Sequence, residues 1–241
     1  MNALPRPAPS SLPPAVYLIE DEPVLAEAIS FLMSSRGLDS THFPSGESFW
    51  ASIEARERWV CRPACIVLDV RMKHMSGLEL FDRLRLRYPD LPAPVIFLTG
   101  HGDIDMAVDV LKNGAFDFFV KPFGDNRLVD RVLEAIEESR RRIARRECAT
   151  EVDERLARLS AREHDVMREV LAGKLNKVIA AELGISMRTV EVHRSNAFAK
   201  MEVRSAVELA RLLESAGMSI DIAAAPRSAE AGLGSPARGE A

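Results

Sequence analysis

Apolar residues between residues 15 and 122 follow two alternating patterns. Short, nearly continuous apolar runs predict strands buried on both faces, and apolar residues at helical spacing separate these runs. The predicted strands are 15–20, 38–43, 64–69, 94–99 and 116–122, and the predicted helices are 23–35, 45–55, 77–88, 104–114 and 126–147. This alternation predicts the α/β class, as a doubly wound five-stranded parallel sheet covered by helices on both faces.

The strand pattern ends after the long helix, and four helical segments follow. They lie at 161–172, 176–183, 187–201 and 205–216, with Gly173 and Gly184 as breaks. We therefore expect a second, all-α domain. The predicted organisation is a disordered leader at 1–14, an α/β domain at 15–130, a helical linker at 131–155, a four-helix domain at 156–217 and a disordered tail at 218–241.

Charge is distributed unevenly between these two domains. The chain has a net charge of −4, and acidic residues outnumber basic ones over 16–125, whereas basic residues outnumber acidic ones over 174–204. The basic segment favours a polyanionic partner. No apolar run is long enough for a membrane span, and the proline-rich leader lacks the apolar core of a signal peptide. With three cysteines, an odd number, reduced thiols and a cytoplasmic location are expected.

Polar residues with complementary chemistry stand at the ends of four predicted strands. Glu20 and Asp21 follow the first strand, Asp69 ends the third, Thr99 ends the fourth and Lys121 lies in the fifth. Ligands bind outside the carboxyl ends of an open parallel sheet. Three carboxylates predict a hard divalent cation, namely Mg²⁺, while a hydroxyl and an ammonium suit a phosphoryl group. Asp69 is then a candidate nucleophile that forms an acyl phosphate.

The segments LIEDE, IVLDVRM, MSGLEL, IFLTGHGD and GAFDFFVKPF resemble the receiver domain of two-component response regulators. The resemblance implies a flavodoxin-like sheet of strand order 2-1-3-4-5, with Asp69 accepting phosphate from a sensor histidine kinase. It also implies that the receiver catalyses only its own Mg²⁺-dependent phosphorylation and dephosphorylation. By the same resemblance, the metal ligands are Glu20, Asp21, Asp69 and the backbone carbonyl of Arg71; the conserved hydroxyl and lysine are Thr99 and Lys121; the switch aromatic is Phe118; and the Lys121–Pro122 bond is cis.

Residues 176–201 predict a helix-turn-helix. Val178, Ile179, Ala181 and Leu183 give its first helix a predicted packing face, and Val190, Ala197 and Met201 give one to the second. On this register part of the second helix faces outward to a DNA groove, while Lys177, Arg194 and Lys200 flank that face and suit phosphates. The predicted DNA-binding residues are Lys177, Arg188, Thr189, Glu191, Val192, Arg194, Ser195 and Lys200.

The segment from LSAREHDVM to AVELARLL resembles the LuxR-type output domain, through L-S-x-R-E, N-K-V-I-A and T-V-x-x-H. The two resemblances in this order identify the chain as similar to the NarL/FixJ class, and GHGD with FDFFVKPF favours its FixJ branch. This implies a transcription regulator that binds double-stranded promoter DNA and forms a homodimer when phosphorylated, with RNA polymerase as a further candidate partner. Ile104, Val108 and Leu111 are the candidate apolar residues of the dimer interface.

Other interpretations are open at this point. A phosphohydrolase with a strand-end aspartate needs a second acid two residues later, where this chain has Arg71. The receiver can instead be a dimerisation module that needs no phosphate, or the output helices can bind a protein. Lys73 departs from the receiver pattern, which has proline there, and with Arg71 and His101 it is expected to tune the lifetime of the phosphate.

Overall fold

A computed structural model of the protein describes residues 12–55, 62–100 and 104–218, without the side chains of 104–107. The chain divides into two compact units, 1–144 and 145–241. The elements of the first unit are β1 Ala15–Ile19, α1 Pro23–Ser35, β2 Ser40–Phe43, α2 Gly46–Glu54, β3 Ala64–Asp69, α3 Gly77–Arg87, β4 Val95–Thr99, α4 Ile104–Lys112 and β5 Asp117–Val120. They are followed by α5 Asp125–Leu156, α6 Ala161–Leu171, α7 Asn176–Leu183, α8 Met187–Met201 and α9 Ala206–Ser215.

The five strands form one parallel sheet in the order β2-β1-β3-β4-β5, which confirms the predicted α/β fold class. Successive side chains of each strand point to opposite faces of the sheet, as the two-residue repeat of a β-strand requires. Val67 and Leu98 belong to one apolar cluster, while Ile66 and Leu68 belong to the other. Each cluster is completed by helices, so every residue of β3 is buried. This burial explains the continuous apolar runs.

Local signals set several helix starts near the carboxyl edge of the sheet. Pro23 lies in the first turn of α1, where its missing N–H costs nothing. The side chains of Ser45 and Ser76 accept hydrogen bonds from the first turns of α2 and α3. These caps satisfy backbone N–H groups that have no partner within the helix. The predicted helix bounds agree with the structure to within two residues for α1 to α4.

Helix α5 is longer than predicted, because it runs without a break from Asp125 to Leu156. Its N-terminal part buries Val129 and Val132 against the sheet, and the buried Ser139 hydroxyl accepts a hydrogen bond from Ala64 N at 3.0 Å. Its C-terminal part contributes Val152 to the core of the second unit. The segment predicted as a linker, 131–155, therefore supplies core residues to both units.

The second unit contains the predicted helical segments α6 to α9. Gly184 ends α7 in the left-handed conformation, with φ of 65°, and Ser186 caps α8. The predicted inward face of α8 is confirmed, since Val190, Ala197 and Met201 are fully buried.

The predicted packing face of α7 is partly wrong, because Val178 and Ala181 are exposed. The short helix packs along the line of Ile179 and Leu183, four residues apart, and the other two residues lie off that line. Within the described ranges, no helix has the length and apolarity to cross a membrane.

Candidate functional site

The strand-end residues lie together at the carboxyl edge of the sheet. Asp69 is the last residue of β3 and pairs in register with Leu98, next to Thr99 at the end of β4. Glu20 follows β1 directly, and parallel pairing brings the ends of β1 and β3 side by side. Glu20, Asp69 and Thr99 are three of the few buried polar residues of the described chain. Burial of carboxylates at one point requires cationic partners.

Lys121 is the cationic partner that the structure shows. Its Nζ lies 2.8 Å from Glu20 Oε2 and 3.1 Å from Asp69 Oδ1, so one ammonium bridges two carboxylates. The Lys121–Pro122 peptide has the predicted cis conformation. The three carboxylates of Glu20, Asp21 and Asp69 each place one oxygen within 4.8 Å of the others.

The electrostatics of this cluster favour a further cation. Burial, and secondarily the charge of Asp69, raises the pKa of Glu20 above its usual value, although Lys121 opposes the rise. Burial also raises the pKa of Asp69, with a smaller contribution from Asp21. For Lys121, burial lowers the pKa, but the hydrogen bonds and charges of Glu20 and Asp69 outweigh it and raise the pKa overall.

The donor set fits Mg²⁺. Three carboxylates and one ammonium leave a formal charge of −2 in the cluster, which one divalent cation neutralises. All offered ligand atoms are oxygens, as a hard cation prefers, and Asp21 is only half-buried, which leaves room for water. The backbone of Arg71 donates a hydrogen bond to the Asp69 carboxylate. The use of the Arg71 carbonyl as a ligand remains a prediction.

Thr99 and Phe118, the predicted hydroxyl and switch aromatic, lie on neighbouring strands. The Thr99 hydroxyl donates to Gly100 O at 3.3 Å. Phe118 is half-buried and packs against the apolar cluster that contains Leu68 and Phe97. Their coupling to a phosphate remains a prediction. His101 lies outside the described residues.

The loop after Asp69 contains contacts that the sequence patterns did not indicate. Met75 N donates to Glu47 Oε1 at 3.0 Å, across 28 residues of sequence. A Cβ on Gly77 would lie only 2.1 Å from Asp69 O, so the start of α3 rests directly on the backbone of the candidate nucleophile. In the sequence, Glu47 is recognisable only as an acidic residue in the first turn of a helix, and such residues usually do no more than favour the helix start.

The outward face of α8 is the second candidate site. Arg188, Glu191, Val192 and Ser195 are exposed there, as the helical register predicts. Lys177 on α7 is also exposed, while Thr189 is half-buried with its hydroxyl 2.7 Å from that of Ser186. A helix with exposed polar residues and Val192 presents both hydrogen-bonding and methyl groups, which are the groups that read base edges.

Two of the predicted phosphate contacts are engaged within the protein. Arg194 donates from Nη1 to Asn176 Oδ1 at 3.1 Å and lies over the Phe198 ring. Lys200 Nζ lies 2.6 Å from Oε2 of Glu163, which is buried. Both side chains therefore tie α8 to neighbouring helices. Sequence spacing could not show this, because the partners lie 18 and 37 residues away.

Comparison with known proteins matches both units. Residues 16–133 match the family model described as "Response regulator receiver domain", and residues 157–213 match "Bacterial regulatory proteins, luxR family". The chain is 46% identical to the C4-dicarboxylate transport transcriptional regulatory protein DctR of Rhodobacter capsulatus, over 82% of this chain and 98% of that protein. It is 37% identical to the transcriptional regulatory protein FixJ of Bradyrhizobium diazoefficiens, over 86% of this chain and 97% of that protein.

Solved structures give the same result. The response regulator StyR superposes with a TM-score of 0.71 at 34% identity, covering 84% of this chain and 99% of that chain. Full-length FixJ has a TM-score of 0.51 at 37% identity, covering 84% of this chain and 97% of that chain. The similarity therefore extends over both units.

Proposed function

Because the chain belongs to the two-component response regulators of the NarL/FixJ class, with a receiver and a LuxR-type DNA-binding domain, we propose that it is a transcription factor switched by phosphorylation of Asp69. The proposed domains are a receiver at 15–130, a helical linker at 131–155 and a DNA-binding domain at 156–217. The family is one of transcription regulators and not of enzymes. The observation that carries the proposal is the buried Asp69 carboxylate beside Lys121 and two further carboxylates.

In the proposed reaction, an Asp69 carboxylate oxygen attacks the phosphorus of a phosphohistidine on a sensor histidine kinase. A P–O bond forms, the P–N bond breaks, and the histidine leaves as a neutral imidazole, because its other ring nitrogen already carries a proton. Lys121, already 3.1 Å from Asp69 Oδ1, pairs with a phosphoryl oxygen, and Thr99 donates its hydroxyl to another. Glu20, Asp21 and Asp69, with the Arg71 carbonyl as a further proposed ligand, would hold Mg²⁺, which would supply positive charge to neutralise the transferring group.

Phosphorylation then changes a surface of the receiver. Thr99 moves towards the phosphoryl group, and Phe118 on β5 turns inward into the space that it leaves. Val108, Leu111 and Val120 are exposed apolar residues on α4 and β5, and we propose that this face forms the homodimer. A complete switch from 1:99 to 99:1 requires a bias of about 5.5 kcal/mol.

Helix α8 enters the major groove of double-stranded promoter DNA in this proposal. Its exposed residues Arg188, Glu191, Val192 and Ser195 lie towards the bases. The proposed contacts to the DNA phosphates are Lys177 and Thr189, while Arg194 and Lys200 hold α8 in place for DNA binding through their contacts with Asn176 and Glu163. A dimer places two such helices on half-sites about one DNA turn apart. RNA polymerase is a further proposed partner at the promoter.

One alternative has support from the exposed apolar face of α4 and β5, which exists without any phosphate. The receiver could then dimerise whether or not Asp69 is phosphorylated. In that case Asp69→Asn binds promoter DNA as well as the wild type does, even with a phosphodonor present.

The test combines a small phosphodonor with mass spectrometry. We expect acetyl phosphate and Mg²⁺ to add one phosphoryl group to the full chain, in an acyl linkage that hydroxylamine cleaves. Asp69→Asn should remove this addition, and phosphorylation should tighten salt-dependent binding to selected promoter fragments. Failure of the wild type to take up the group would refute the proposed switch, and failure to bind any DNA would favour a protein partner for the helical domain.

A further inference from the structure

The β3–α3 loop, residues 70–76, leads from Asp69 to helix α3 and is tied to helix α2. Glu47 lies in the first turn of α2, and its Oε1 accepts a hydrogen bond from Met75 N at 3.0 Å. Met75 is itself buried, and its Sδ lies 3.0 Å from where a Cβ on Gly46 would stand. Glu47 therefore holds the Met75 backbone, while the Met75 side chain occupies the space beside Gly46 that a Cβ would need.

The loop needs such a restraint, because its backbone is strained next to Met75. His74 has a φ of 64°, in the left-handed region that a residue with a Cβ enters at a cost of about 1–2 kcal/mol. A conformation of this kind persists only where the surrounding structure determines it. The hydrogen bond to Glu47 acts on the very next residue along the chain.

The restraint extends to Asp69 through short contacts. Gly77 N donates to Val70 O at 3.0 Å, closing the loop, and the Gly77 Cα leaves no room for a Cβ beside Asp69 O. At the other end of the loop, Arg71 donates its backbone N–H to the Asp69 carboxylate. Both ends of the loop therefore contact Asp69, one through Gly77 and the other through Arg71.

We propose that Glu47 is a positioning residue for phosphoryl transfer at Asp69. Its carboxylate holds the β3–α3 loop, and through it the Asp69 carboxylate and the Arg71 backbone, in the geometry that binds the metal and accepts the phosphoryl group. This inference rests on the proposed function. Glu47 acts on the metal site and the phosphoryl group only indirectly, through its hydrogen bond to Met75 N.

The simpler role for Glu47 is to stabilise the start of α2. Hydrogen bonds, foremost from its own backbone N–H, lower the pKa of Glu47, so it is charged at neutral pH and favourable at a helix N-terminus. A helix-start role changes the stability of α2 but leaves the loop and the metal site unaffected. The two roles therefore differ in measurable ways.

The experiment compares Glu47→Met, which removes the acceptor, with Glu47→Gln, which keeps an acceptor oxygen. Glu54→Met is the matched control, since Glu54 lies on the same helix and accepts from Trp50 Nε1 at 2.8 Å, away from the loop. Amide hydrogen exchange at Met75, Mg²⁺ affinity by calorimetry and phosphorylation rate with acetyl phosphate are measured on the full chain. Thermal unfolding verifies that each variant is folded.

We expect Glu47→Met to speed exchange at Met75 and to weaken Mg²⁺ binding and slow phosphorylation, each by about tenfold. In Glu47→Gln, the Mg²⁺ affinity and the phosphorylation rate should lie within about twofold of the wild-type values. Glu54→Met should resemble the wild type in all three measurements. Wild-type Mg²⁺ affinity and rate in Glu47→Met would overturn the inference, and so would equal losses in Glu47→Gln. If the wild type accepts no phosphoryl group, the proposed function fails, and the Mg²⁺ affinities still decide the role of Glu47.

Discussion

The contact between Gly77 and Asp69 gives the sharpest prediction from this structure. A Cβ at residue 77 would lie 2.1 Å from Asp69 O, 3.0 Å from Asp69 C and 3.1 Å from Val70 Cα. All three are backbone atoms, so no change of side-chain rotamer relieves the clash. Gly77→Ala therefore forces either the start of α3 or the end of β3 to move.

The size of the effect follows from the distance. Real Cβ atoms are almost never found closer than 3.0 Å to another heavy atom, so one element must shift by at least about 1 Å. Overpacking of this kind typically costs about 1–3 kcal/mol. We expect the upper half of that range, since β3 is the central strand and is buried along its whole length. A 1 Å misplacement of the nucleophile should also slow phosphorylation by about 100-fold.

Urea unfolding followed by circular dichroism measures the first effect, and phosphorylation with acetyl phosphate measures the second. Gly124→Ala is the control, because a Cβ there meets nothing within 4 Å among the described residues. Gly124 precedes α5, so this variant should lose about 1 kcal/mol or less. A Gly77→Ala protein with the stability and the phosphorylation rate of the control would show that the inferred steric coupling is wrong.

Three further predictions concern charge. Without divalent cations, Asp69→Asn should unfold at a higher urea concentration than the wild type at pH 7. Burial raises the pKa of Asp69, so the wild type loses stability as pH rises from the usual carboxyl range through that raised pKa. Equal urea midpoints for the two proteins would contradict this prediction. Mg²⁺ affinity, measured by calorimetry, should fall as pH decreases through the raised pKa values of Glu20 and Asp69, since protons then compete with the cation. Lys177→Met should reduce the magnitude of the negative slope of log Kobs against log salt for DNA binding by about 0.9. Lys200→Met should leave this slope unchanged, because Lys200 is paired with Glu163. A smaller slope for Lys200→Met would mean that this lysine leaves Glu163 to contact a phosphate.

The sequence predicted most of the fold, because the signals for its elements are local. The continuous apolar run of 64–69 predicted a buried strand, and the helices predicted at 45–55 and 77–88 agree with α2 and α3 to within one residue. The parallel direction of the strands follows from the alternation of strands and helices, whereas the order 2-1-3-4-5 was implied by the resemblance to receiver domains. The same logic placed Asp69 and Lys121 at one edge of the sheet, where the structure has them in contact.

Local patterns also set the outward face of α8, since three inward residues define the helical register and the remaining residues follow from it. Local patterns were less reliable for the short helix α7, because few residues, chiefly Ile179 and Leu183, define its packing face. They placed the end of the long helix at 147, nine residues too early, because the segment 147–156 is highly charged and buries only Val152, which gives a weak apolar pattern.

Only the tertiary structure decided which side chains support the two sites. Glu47 holds Met75 from 28 residues away, Lys200 pairs with Glu163 from 37 residues away, and Gly77 rests on Asp69 O. Each contact joins separate elements, and neither the apolar periodicity nor the helix-capping residues indicate which elements come into contact. The sequence alone thus determined the elements and the chemistry at their ends, while packing between elements determined how firmly that chemistry is held.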